Sequence, residues 1–334
     1  MYFEIIFLLL VTYFAYHLLI KFAKNVNLID VPNPRSSHNL PTTRGFGAVI
    51  FTSIGLTLII FEPSMYVENT YLLCSVLLIG LLGLVDDIKE IPPFLKIGTL
   101  IVVYSFLYAE GFLITNLGIY IGMEIHLNFI MAILFSTAVI VAFTNAFNLI
   151  DGLDGLSGLI SIIIFLSFLF VGITNNDKLL IVIPILFITS LCVFLFYNWH
   201  PAKVFLGDSG SLMIGFVISV LGVRSIEYIE PISILYITLV PIIDALFVYF
   251  RRIFEGKSPF KPDKLHCHHI LLSYFDGSVR KTVIFIAFIQ LLFSTIGVLF
   301  VANVTDGFVA LFTFLILFFL IYKFLNKIKN NVLD

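Results

Sequence analysis

Apolar residues run through this chain in long blocks, each broken by a short polar stretch rather than by a recurring polar face. The blocks lie near 1–20, 46–61, 69–85, 94–110, 128–147, 157–174, 179–197, 210–223, 232–250, 282–302 and 308–325. Their continuity excludes the alternation of a membrane barrel, and their length is that of a bilayer-crossing helix. The pattern predicts an all-α integral membrane protein, a polytopic bundle of about eleven transmembrane helices forming one domain over 1–334. Ten is the alternative count. The fourth block carries Lys96, and the eighth is short, with room to extend only to Ile226.

Composition agrees. Of 334 residues, 60% are hydrophobic and 12% charged, about half the charged share of a soluble domain. So few charges cannot cover that much apolar surface in water, which excludes the soluble enzyme classes. A net charge of −2, with basic residues confined to short loops, gives no footing for nucleic acid. Cys74, Cys192 and Cys267 show no pairing pattern, so no disulfide is expected. The first block lacks a basic n-region, its first Lys being Lys21, and no small-residue cleavage site follows it. It reads as a retained span.

Basic residues set the orientation. Of the 19 Lys and Arg, only Lys178 and Arg224 fall in the loops after even-numbered blocks. The other side is therefore expected to be cytoplasmic, with the N-terminus outside and the C-terminus inside. The same side gathers every polar motif, in loops 21–45, 86–93, 148–156, 198–209 and 251–281. These motifs are RSSHNLPTTRGFG (35–47), VDDIKE (85–90), NLIDGLDG (148–155), FLGDSGS (205–211) and SPFKPDKLHCHH (258–269). One cytoplasm-facing site built from five loops is the simplest reading.

In NAFNLIDGLDGLSG (145–158), Asn145, Asn148, Asp151 and Asp154 stand three apart, so they cannot all share one face of a straight helix. Gly152 or Gly155 permits a bend, after which Asn148 and Asp151 face one site while Asp154 reaches another part of a ligand. A plain helix cap needs one such side chain, not four. Asp86 and Asp87 close the third block; adjacent positions point about 100° apart, so they should have different partners. Asp208 sits between Gly207 and Gly210, with Ser209 or Ser211 as a helix cap and Lys203 as counter-charge. Glycines and free N–H groups at a helix start favour phosphate, and a carboxylate there calls for a divalent cation in between. Phe205 is placed to stack on a base, or else simply packs. His266, Cys267, His268 and His269 are consecutive or nearly so and rarely point at one ion, so zinc is disfavoured. With Arg251, Arg252, Lys257, Lys261 and Lys264 in the same loop, anion binding is the better use. Asp244 lies inside the ninth block, where an acid is either functional or tightly paired. The sequence leaves those two open.

Together the five loops, from about Asp30 to His269, resemble the polyprenyl-phosphate N-acetylhexosamine-1-phosphate transferase family (glycosyltransferase family 4). DVPNPRSSHNLPTTRGFG looks like its first cytoplasmic loop, although Phe46 stands where Gly is frequent. VDDIKE resembles its aspartate pair, NAFNLIDGLDGL its central motif, PAKVFLGDSGSL its metal-aspartate loop, and PIIDALFVYFRR with SPFKPDKLHCHH its histidine loop. The His-x-His-His form, the SPFKPD lead-in and an eleventh span look more like the N-acetylglucosaminyl-1-phosphate branch than the pentapeptide translocase.

The resemblance implies an enzyme of a bacterial plasma membrane, active on its cytoplasmic side. It would pass a sugar 1-phosphate from a UDP-N-acetylhexosamine, N-acetylglucosamine first among them, to undecaprenyl phosphate and release UMP. The product would begin a cell-envelope polysaccharide such as an O-antigen, teichoic acid or capsule. By the same resemblance Asp208 and Asn148 hold Mg²⁺, which Mn²⁺ can replace. Asp86 and Asp87 orient or deprotonate the lipid phosphate. Asp151 serves in catalysis and with Asp154 shapes the metal and nucleoside region, and Phe205 stacks on uracil. Arg44, His266, His268 and His269 hold phosphates and sugar. Membrane lipid and a second copy of the chain are the remaining expected partners. A multi-span transporter of a small anion is the rival reading, and it predicts internal repeats and polar residues near mid-bilayer.

Overall fold

In the computed structural model, which describes residues 2–32, 41–258, 265–303 and 306–333, every apolar block holds a helix. In chain order, α1 (Tyr2–Phe22) leads through strands β1 (Ile29–Asp30) and β2 (Thr42–Thr43) to α2 (Phe46–Phe61), α3 (Pro63–Glu68), α4 (Thr70–Ile88) and α5 (Pro93–Ser105). Strands β3 (Asn116–Tyr120) and β4 (Met123–His126) precede α6 (Phe129–Ile150), α7 (Leu156–Asn175), α8 (Lys178–Asn198) and α9 (Asp208–Ser225). Then come α10 (Ser233–Ile237), α11 (Leu239–Phe254), α12 (Cys267–Tyr274), α13 (Val279–Leu299) and α14 (Gly307–Leu333). Among the described residues, eight helical stretches are long and apolar enough to cross a bilayer, and α2 is a shorter apolar helix. The chain is a multi-pass helical membrane protein.

The short eighth block becomes α9, the centre of the bundle, packed by α2, α4, α6 and α7. Its serines and glycines would be poor lipid-facing residues, but they let neighbouring backbones close in. A Cβ on Gly47 of α2 would lie 2.0 Å from the Gly210 nitrogen, and one on Gly83 of α4 would lie 2.4 Å from the Asp208 carbonyl oxygen. Only glycine fits either place. The fourth block is α5 followed by a 3₁₀ turn, Phe106–Glu110, and Lys96 sits in its first turn.

The ninth block was expected to be continuous over 232–250, but it breaks at Thr238 into α10 and α11. Pro241 is the cause. It has no N–H to offer the Ile237 carbonyl four residues back. Gln290 of α13 repairs the gap: its Nε2 donates to Ile237 O (2.7 Å) and its Oε1 accepts from Val240 N (2.9 Å). Ser294 adds a second donor to Ile237 O at 3.0 Å. Inside a bilayer such repair is obligatory, because no water is available to the freed groups.

The helix ends sort into two groups. At one end Lys178 pairs with Glu62 (2.7 Å), Arg224 with Asp177 (2.7 Å), and Glu110 accepts from the N–H groups of Tyr71 and Leu72. A hairpin, β3 against β4, also lies there, its turn held by Asp306, which accepts from Ile121 N and Gly122 N at 3.1 Å each. The polar motifs meet at the opposite end. Residues 33–40 and 259–264, with Arg35, Lys261 and Lys264, lie outside the described residues.

Candidate active site

The site begins with how α9 starts. Gly207 has φ +76°, a conformation costly for other residues, and a Cβ on it would lie 2.5 Å from Asp87 Oδ2. That close approach lets Asp87, at the end of α4, accept from Asp208 N (2.8 Å) and Ser209 N (3.1 Å). The first N–H groups of α9 are thus capped by a carboxylate from another helix. The expected cap, Ser209 or Ser211, is not used; the Ser211 hydroxyl instead donates back to Gly207 O at 3.0 Å.

Asp208 points its carboxylate away from that cap. Its Oδ1 accepts from Asn148 Nδ2 (3.1 Å) and its Oδ2 from Lys96 Nζ (2.7 Å). Asn148 also donates to Ser211 Oγ at 2.7 Å. Lys96 bridges onward to Asp86, which also accepts from Ile91 N at 2.6 Å. Lys203, expected as the counter-charge, is exposed, and the cation on Asp208 is Lys96.

The loop after α6 bends at once, with Gly152 N donating to Ile150 O at 2.8 Å. Asp151 accepts from Ser157 Oγ at 2.5 Å. Burial pushes its carboxyl up to about 7; the Ser157 bond opposes this, and the charges of Asp208, Asp87 and Asp154 add to it. Asp154 braces the next loop, meeting His200 Nδ1 (2.7 Å) and accepting from Ala202 N (3.1 Å). Asn198 ties the two loops together, accepting from Gly155 N and donating to Val204 O, each at 2.7 Å. The first loop joins through backbone bonds: Phe205 N to Thr43 O (2.8 Å) and Gly47 N to Leu206 O (3.0 Å).

These segments enclose a cavity of about 330 Å³. Of the residues singled out from the sequence, it is lined by Arg44, Asp87, Asn148, Asp151, Asp154, Phe205, Asp208 and His269. Three others stand back from it. Asp86 is turned to Lys96, His266 Nδ1 donates to Asp244 at 2.7 Å, and His268 is buried beneath Gly152. Burial pushes the His268 imidazole down to about 3, so it is neutral. Arg251 and Arg252 are buried near the end of α11, and Arg251 meets Glu255 at 3.4 Å.

Sequence reasoning missed Lys96, Asp30 and Asn198. Lys96 was legible as a lone cation in an apolar block, ten residues after Asp86. Asp30, a cavity wall, opens the DVPNPRSSHNLPTTRGFG stretch, but nothing in the sequence singled out its side chain.

Does a divalent cation fit? Among the described residues, no three His, Cys, Asp or Glu close on one point, so a site that encloses an ion with protein ligands alone is not formed there. A hard ion held by one or two protein oxygens and completed by phosphate is a different case. Asp30, Asp87, Asp151, Asp154 and Asp208 all line the cavity, with Arg44 as its lining guanidinium and Lys96 bridging behind. Burial is the main reason the Asp151 carboxyl is raised, and the charges of Asp208, Asp87 and Asp154 add to it. The oxygens are of the right kind, and the charge calls for a cation. The residues fit.

Comparison with known proteins gives the family. The pattern of glycosyl transferase family 4 matches residues 69–226. A probable undecaprenyl-phosphate N-acetylglucosaminyl 1-phosphate transferase of Bacillus subtilis is 30% identical, over 82% of this chain and 77% of the relative. The undecaprenyl-phosphate alpha-N-acetylglucosaminyl 1-phosphate transferase of Thermotoga maritima is 32% identical, over 86% and 87%. Its Escherichia coli K12 namesake is 26% identical, over 93% and 90%. With identity of that order over most of both partners, the chain belongs to glycosyl transferase family 4.

Proposed function

We propose that the chain transfers N-acetylglucosamine 1-phosphate from its UDP-sugar to undecaprenyl phosphate, at the cytoplasmic face of a bacterial plasma membrane. The carrying observation is the carboxylate-rich cavity around Asn148 and Asp208, at the end of the bundle where the basic residues gather. The names of the relatives supply the substrate class. The same basic asymmetry supports eleven spans, an outer N-terminus and a cytoplasmic C-terminus.

In the reaction, an oxygen of the lipid phosphate attacks the phosphorus that bears the sugar. The bond from that phosphorus to the bridging oxygen breaks, and UMP leaves with that oxygen. Asp208 and the amide oxygen of Asn148 would hold Mg²⁺, which would neutralise charge on the diphosphate. Lys96 and Arg44 supply further positive charge to two anionic substrates. Phe205 presents a ring to the uracil, and His269 with Arg44 holds phosphate or sugar. A phosphate monoester has a second pKa near 6 and is already largely ionised at neutral pH, so no strong base is required. Asp87 is engaged by two N–H groups and Asp86 by Lys96 and Ile91 N. We therefore assign both to positioning rather than proton removal.

The test is purified protein with undecaprenyl phosphate, Mg²⁺ and a panel of UDP-sugars, reading the nucleotide released. UMP with UDP-N-acetylglucosamine is expected. UDP as the primary product would mean ordinary sugar transfer and a wrong assignment.

A further inference from the structure

Asp244 is 1% exposed within α11, ten residues and so about 15 Å before the helix ends at Phe254. It does not line the site cavity. Its surroundings are apolar: Leu239, Ile243, Phe285 and Ile289 share with it a second cavity of about 260 Å³. A carboxylate in such a place is costly unless it is fully bonded.

It is bonded, and to one target. Oδ2 accepts from His266 Nδ1 at 2.7 Å, and Oδ1 from Cys267 N at 2.6 Å. His266 is the N-cap of α12 but gives no side-chain cap, so Asp244 serves the first N–H of α12 from a neighbouring helix. Helix α12 then carries two histidines to the catalytic loop. A Cβ on Gly152 would lie 2.3 Å from His268 Nε2, so that ring rests directly on the backbone beside Asp151. His269 reaches the cavity wall.

We propose that Asp244 is a positioning residue: by clamping His266 and the first turn of α12, it sets where His268 and His269 stand against Asp151 and Gly152. Its kinetic consequence rests on the transferase reading. Its geometric consequence does not, and the protein carries a reporter for it in the Cys267 thiol, which burial and, after it, the Asp244 charge push well above the usual range.

The experiment uses the full-length protein in detergent, with Cys74→Ala and Cys192→Ala leaving Cys267 as the single thiol. N-ethylmaleimide labelling of Cys267 is compared with and without Asp244→Asn, which keeps the side chain's size, and with His266→Ala, which breaks the clamp but leaves the Asp244 charge beside the thiol. Releasing the clamp is expected to speed labelling by about tenfold or more. In the transfer assay on monodisperse protein, Asp244→Asn is expected to raise KM for the UDP-sugar several-fold as well as lower kcat. A mere loss of folded molecules would lower kcat alone. Combined with His269→Ala, the Asp244 change should cost less than about threefold beyond His269→Ala by itself, because both act on one arrangement.

Unchanged labelling in either variant overturns the clamp, since faster labelling in Asp244→Asn alone would report only the lost charge beside the thiol. Losses that multiply in the double variant overturn action through the histidines. Should no UDP-sugar support transfer by the unsubstituted protein, the transferase reading fails while labelling still decides the clamp.

Discussion

Asp208→Asn removes one charge from the residue on which the site converges. The carboxylate faces two donors, Lys96 Nζ on Oδ2 and Asn148 Nδ2 on Oδ1. Asn has a single oxygen, so one donor must face an NH₂ group. A bond to a charged group is worth about 1.5–3 kcal/mol when buried, and less here because the side chain is 31% exposed. The start of α9 should survive, since Asp87 binds the backbone of residue 208 rather than its side chain. The larger effect is on the reaction. On the proposed assignment Mg²⁺ would lose its anionic protein ligand, and metal stabilisation of phosphoryl transfer is worth several kcal/mol. Forfeiting about 2.7 kcal/mol of it lowers turnover about a hundredfold. Initial rates of UMP release across a Mg²⁺ titration measure this, at matched expression. Asp306→Asn is the control. It sits at the far end of the bundle, holding the hairpin turn, and should leave turnover unchanged. If Asp208→Asn keeps more than about a third of wild-type turnover at every Mg²⁺ level, Asp208 is not the metal ligand argued for.

Three further outcomes are expected. Gly47→Ala forces a Cβ to 2.0 Å from the Gly210 nitrogen and should cost roughly 1–3 kcal/mol or more in thermal stability, whereas Gly55→Ala meets open space and should be neutral or slightly stabilising. A melting curve for each variant decides it, and equal curves would refute the close contact of α2 with α9. Lys96→Met leaves Asp86 and Asp208 without their shared cation and should lower UMP release at least about tenfold. Asp151, raised to about 7, holds its proton below that pH and ionises above it, so proton and cation compete. The Mg²⁺ needed for half-maximal rate should therefore rise as pH falls from about 8 to about 6, and Asp151→Asn should flatten that dependence.

Much of the architecture was legible because the bilayer writes length directly into sequence. What was not legible depended on contacts between blocks. The break at Thr238 could have been read from Pro241, but its repair by Gln290 joins residues fifty positions apart. The β3–β4 hairpin left a local sign that went unread. Ile121 and Gly122 both take positive φ, as a two-residue hairpin turn demands, and Gly122 was visible in the sequence. Asp244 stood out as an acid in an apolar block, yet only the fold could decide between function and pairing by placing His266 against it. Lys96 counted against its block as a span, although a cation at the mouth of a helix beside acids is in its proper place.

The aspartate pair shows how far local geometry carries and where tertiary structure takes over. Neighbours on a helix point about 100° apart, which predicts two different partners for Asp86 and Asp87. That much holds: one takes Lys96, the other the start of α9. Both partners lead to the same residue. Asp87 fixes the Asp208 backbone, while Asp86 fixes the lysine that meets the Asp208 carboxylate. Asn148 of α6 holds that carboxylate from a third helix. Side chains from α4, α5 and α6 thus fix one acid on α9, and Gly83 lets α4 come close enough to do so. A carboxylate held from three helices is fixed in place before any substrate arrives, which is the positional order that transfer between two bound substrates needs.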